Sequence, residues 1–149
     1  MARVNVGVNP KYLTDQWLVA ESVEITMITG SLRKNNYEIK SDIPNEYKLG
    51  KGHINFFKNK LVYLKRRLEA VNNEMTRRGF SPGTSLDLSE FPDEYLNDWK
   101  PSMKDSCILR NRLAWKYNNK SDYWRYCSEY ISDHGKFVDG FLIGKLYKV

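Results

Sequence analysis

A chain of 149 residues with 24 Lys and Arg against 18 Asp and Glu carries a net charge of +6. That is long enough for one domain with a real core, and the basic balance favours nucleic acid or another polyanion as partner. No run approaches the apolar length of a membrane span and Met1 to Pro10 has no signal-peptide core, so the expected setting is the cytoplasm, with no membrane partner.

Ala2 to Pro10, interrupted by Gly7 and Pro10, reads as an extended lead-in. Methionine is normally trimmed before a residue as small as Ala2, and the new α-amine, with an unperturbed pKa of about 7.7 to 8.0, is partly neutral at physiological pH. Thr14 or Asp15 can cap a first helix that runs to about Thr29 with Gly30 as its stop. Trp17, Glu21, Glu24 and Ile28 share one stripe of it, so two carboxylates lie on a face with two large apolar groups. A buried carboxylate there is a candidate site; a pair of half-exposed helix acids is the plainer alternative.

Ser31 to Lys48 reads as a loop-rich connection. Leu49 to Phe80 is the longest helical stretch: Leu61, Leu64, Leu68, Val71 and Met75 recur at gaps of three and four and define the core face. Lys58, Lys60, Lys65, Arg66, Arg67, Arg77 and Arg78 lie mostly off that stripe, and Gly79 is its stop. Ser81 to Ser85 marks another loop before an acidic and aromatic segment, Leu86 to Trp99. Ser102 with Asp105 forms a capping-box pattern for a third helix running to about Tyr117, on which Arg112 and Lys116 stand at i and i+4. Like charges at that spacing destabilise an isolated helix by roughly 0.2 to 0.5 kcal/mol, which points to an anionic partner.

Tyr123, Trp124, Arg125 and Tyr126 are suited equally to stacking on bases and to plugging a small core. In Lys136 to Val149, Asp139-Gly140 between apolar triplets predicts a short hairpin docked on the helices. Cys107 and Cys127 read as free thiols, and with His53 and His134 they lack the paired spacing of a metal site; no metal or cofactor is expected.

The stretch LGKGHINFFKNKLVYLKRR, followed by RRGF, resembles the central helix of the phage pyrimidine-dimer DNA glycosylase/AP lyase family, the T-even phage "endonuclease V" type. The resemblance runs through Ala2-Arg3-Val4-Asn5, Asp15-Gln16, Ala20-Glu21 with Glu24, Gly30 with Arg33-Lys34, Pro92-Asp93-Glu94-Tyr95, Asn111-Arg112-Leu113 with Lys116, and Tyr123 to Tyr126. It covers about residues 2 to 127 of a single domain spanning 1–149, leaving 128–149 as an extension. It implies a compact, monomeric all-α fold of three main helices, with the N-terminal segment threaded between them. It also implies DNA repair in a phage-infected bacterial cell on damaged double-stranded DNA. Ala2 would supply the attacking amine and Glu24 the catalytic acid, while Arg3, Gln16, Arg33, Lys34, Arg112, Lys116 and Trp124 would line the DNA-binding face.

This sequence departs from that pattern at Val23 and Met27, where the family places two arginines, and at Trp17, where it places a histidine. An apolar pair at i and i+4 has replaced a phosphate-gripping one. A second reading follows from it: a fold relative that binds DNA, or a protein through Val23 and Met27, as a phage accessory or counter-defence factor.

Overall fold

The computed structural model describes residues 3–147, with the side chains of 141 and 143–147 excepted. Its main helices are α1 (Asp15–Lys34), the short α2 (His53–Phe57), α3 (Leu61–Arg77), α4 (Met103–Asn119) and α5 (His134–Tyr147). The two-residue strands β1 (Arg125–Tyr126) and β2 (Glu129–Tyr130) pair antiparallel, Arg125 opposite Tyr130. The protein is therefore mainly all-α.

The expected start signals operate. Thr14 Oγ1 accepts the Trp17 N–H at 3.0 Å. Ser102 and Asp105 exchange side-chain-to-backbone bonds of 3.1 and 2.9 Å in a complete capping box. The apolar stripe of α3 is core throughout, Leu61, Leu64, Leu68, Val71 and Met75 all being buried against Leu18, Ile25 and Ile28 of α1 and the rest of the cluster.

Three expectations are corrected. Gly30 does not stop α1, which continues to Lys34 and closes only where Tyr37 N–H reaches Leu32 O at 2.7 Å. The stretch Leu49 to Phe80 is not one helix: Gly50 and Gly52 take positive φ, α2 ends at Phe57, and a turn precedes α3. The hairpin is not at Asp139-Gly140, which lies inside α5; Asp133 starts that helix by accepting the Lys136 N–H through its side chain at 3.0 Å. A tight hairpin occurs instead at Cys127 and Ser128, both at positive φ, and Asp15 of α1 accepts their N–H groups at 3.0 and 2.7 Å.

The N-terminal segment threads the interior. Val4, Val6 and Val8 are buried, and Asn5 with them, so its backbone polar groups need partners inside the protein. Buried cations supply several. Arg67 Nη1 donates to Val8 O at 2.6 Å, Arg110 donates to Gly7 O, and Arg78 Nη2 donates to Pro10 O at 3.2 Å. Gly7 sits at φ +73°, and a Cβ there would come within 2.2 Å of Ser106 Oγ, so the thread can pass α4 only as glycine.

Candidate active site

The two glutamates of the α1 stripe are both buried, at 0% and 4% exposure, yet they sit in different surroundings. Glu21 is fully engaged: Arg67 grips it through Nε at 2.6 Å and Nη2 at 3.0 Å, and Asn5 Nδ2 donates to it at 2.9 Å. That carboxylate ties α1, α3 and the thread together. Among the described residues, no hydrogen bond or ion pair reaches the Glu24 carboxylate. Burial raises its pKa, and the charge of nearby Arg3 opposes the rise. One turn of helix thus separates a paired, structural acid from one that has no hydrogen-bond or ion-pair partner among the described residues.

Arg3 stands between two clefts. One, of about 530 Å³, is bordered by Arg3, Glu24, His53 and Lys58. The other, of about 290 Å³, is bordered by Arg3, Gln16, Trp17, Lys116 and Trp124. Burial, then the charge of Arg112, lowers the Arg3 pKa, and burial with Arg3 and Arg112 lowers that of Lys116. Three cations from the thread and from α4 therefore crowd one another, and Arg3 among them reaches Glu24, an arrangement an anionic ligand relieves.

The other expected contacts divide. Gln16 bridges backbone, its Nε2 donating to Tyr123 O at 3.0 Å and its Oε1 accepting from Arg125 N–H at 3.1 Å, so it holds the aromatic run in place. Trp124 is core, 5.0 Å from Trp17 and stacked on Tyr117, with its indole N–H donated to Tyr117 O; it also borders the cleft, as does the exposed Tyr123. Arg33 pairs with Glu90 and lies over the Phe91 ring at the far end of α1, and Lys34 beside it is exposed. Neither borders the two clefts at Arg3. Ala2 lies outside the described residues. Val23 and Met27 project into solvent with Val19, one turn apart on the open side of α1. A larger cleft, about 790 Å³, lies elsewhere, walled by Tyr12, Tyr126, Tyr130 and Phe137, and borders neither Glu24 nor Arg3.

The family model for pyrimidine dimer DNA glycosylases matches residues 1–88. This chain belongs to that family. Membership implies DNA glycosylase activity on pyrimidine dimers, and hence a DNA substrate. The matched stretch contains the thread, Glu21, Glu24, His53 and α3; Arg112, Lys116 and Trp124 lie beyond it.

Several residues that build the site went unread in the sequence. Arg67 and Arg78 are not solvated: both are buried, and Arg78 pairs with Asp15 at 2.9 Å and Glu74 at 2.7 Å. Leu64, Arg67, Val71, Glu74 and Arg78 follow one another at gaps of three and four, the available signal that these charges face inward. Arg110 lies likewise on the stripe Ser106, Arg110, Leu113, Tyr117. Burial lowers its pKa to about 10, so it stays charged at neutral pH.

Proposed function

We propose that this glycosylase is also an AP lyase acting on UV-damaged or otherwise modified pyrimidines through the α-amine of mature Ala2. The observation that carries the reading is Glu24, a buried and unpaired carboxylate next to the residue that follows the proposed nucleophile. In the reaction, the amine nitrogen bonds to sugar C1′ as the bond from C1′ to the base breaks, and loss of the amine protons with ring opening leaves an imine. The Glu24 carboxylate stabilises the cationic sugar. It then assists removal of a C2′ proton, which expels the 3′ phosphate by β-elimination. Arg3, Arg112 and Lys116 hold the phosphates of a deformed duplex from which the damaged nucleotide is extruded.

The test is borohydride trapping on abasic-site and thymine-dimer duplexes. The expected adduct maps to residue 2, and Glu24→Gln abolishes cleavage while leaving binding nearly intact. An adduct on a lysine, or cleavage that survives Glu24→Gln, overturns the mechanism. The second reading, a binding factor without this chemistry, is favoured by the exposed Val19, Val23 and Met27 stripe. No adduct with either duplex, together with tight binding of DNA or protein, establishes that reading instead.

A further inference from the structure

His53 opens α2 directly after Gly52, which adopts φ 94°, and its ring is 5% exposed, packed edge-on against Tyr47 and Phe57. Its two nitrogens have different partners. Nδ1 lies 2.9 Å from Lys48 O, and a carbonyl can only accept, so Nδ1 carries the proton. Nε2 is then the bare nitrogen, and it accepts the Val4 N–H at 3.0 Å. The ring is thus fixed as one neutral tautomer by a loop carbonyl on one side and by the N-terminal thread on the other. It also borders the same cleft as Arg3 and Glu24.

We infer that His53 is a positioning residue, whose bond to the Val4 amide fixes the direction in which the chain continues to Arg3 and Ala2 and so aims the terminal amine at the sugar beside Glu24. This rests on the amine reading given above. Val4 is two residues from the nucleophile, and small errors in placing a nucleophile are costly: a displacement of about 1 Å lowers rates about 100-fold. The bond is local to the thread. Arg67, Arg78 and Arg110 hold the thread separately, at Val8, Pro10 and Gly7.

A matched pair of substitutions separates positioning from packing. In H53Q the side-chain amide can place an acceptor near the former Nε2, whereas in H53N the amide reaches only as far as the former Nδ1 and leaves the Val4 N–H without a partner. With saturating abasic-site duplex and borohydride, H53N should slow adduct formation at the chain terminus by about 10- to 100-fold with duplex affinity unchanged, and H53Q should stay within about threefold of wild type. Amide exchange supplies a measurement that needs no variant: the Val4 N–H of the free wild-type protein should be as protected as amides within α3. Rapid Val4 exchange overturns the inference, as does H53N trapping at the wild-type rate, or equal slowing by both variants. Absence of any terminal adduct in the wild type overturns the amine reading and this inference with it. A wild-type adduct with unslowed H53N overturns this inference alone.

Discussion

At the scale of single residues, Glu21 and Glu24 show how the same side chain one turn apart meets opposite surroundings. The stripe that contains both was legible in the sequence, but which one is paired was not, because the partner, Arg67, comes from 46 residues away. Removing the charge of each should have opposite effects on stability. Glu21→Gln leaves the buried Arg67 with a weakened partner and should cost about 3 to 5 kcal/mol in urea unfolding. Glu24→Gln should raise the melting temperature at neutral pH, because burial penalises the charged carboxylate in the folded protein and not in the unfolded chain. A free glutamate titrates near 4.3, so the difference should vanish below about pH 4, where both states of the wild type are protonated, and open as pH rises through the folded value. A wild-type protein more stable than Glu24→Gln at neutral pH would contradict an unpaired Glu24. His53 has the opposite sign. Burial lowers its folded pKa, the Lys48 bond opposes this and the Arg3 charge adds to it; its contribution is complete above the ordinary value of about 6.5 and is lost as pH falls below it. Comparing wild type with H53Q in melts at descending pH measures that loss.

At the scale of elements, errors in the sequence reading fell where local signals competed with tertiary contacts. Gly30 resembled a helix stop, but the helix continues because Leu32 on the next turn belongs to the core and holds α1 down. A Cβ at Gly30 would meet nothing within 4 Å, and its φ is not in the left-handed region. Gly30→Ala should therefore stabilise the protein by about 0.5 to 1 kcal/mol, read as an upward shift of the unfolding midpoint with unchanged m. Gly7→Ala should do the reverse: its backbone is left-handed and its Cβ site is filled by Ser106, so a loss of 1 to 3 kcal/mol, in order of magnitude, is expected. In the C-terminal stretch, Asp139-Gly140 has the composition of a hairpin turn, but Asp133 starts a helix six residues earlier. Gly140 then serves contact, not turning, since its missing Cβ lets Tyr12 approach to 3.3 Å of that position. The capping box at Ser102 and the α3 stripe were legible because both are local patterns; the threading of residues 4–11 has no local signature, was implied only by the resemblance, and is held by long-range bonds to Arg67, Arg78 and Arg110.

Across the whole molecule, charge is distributed in a way the net value of +6 does not convey. Between Asp15 and Arg33, α1 has only two ionisable residues, the buried Glu21 and Glu24, so its solvent face beside the active site is uncharged and carries Val19, Val23 and Met27. Cations that can meet phosphate here come instead from the thread and α4, as Arg3, Arg112 and Lys116, and from the segment around α2, as Lys51 and Lys58. Duplex affinity should then depend on salt through few contacts. Replacing Arg112 or Lys116 by Ala should weaken binding across all duplex sequences and reduce the magnitude of the slope of log K against log salt by about one each. Restoring charge to the empty face is the complementary experiment. The resemblance places arginines at the positions of Val23 and Met27, and both side chains are about half exposed on successive turns, so the double variant V23R/M27R can carry two guanidinium groups without disturbing the core. If the DNA lies across α1 next to Glu24, that variant should bind duplex more tightly at low salt and steepen the slope by up to about two, measured by fluorescence anisotropy over a salt series. A slope unchanged by the new arginines would mean that the duplex avoids α1, leaving the apolar stripe to a protein partner.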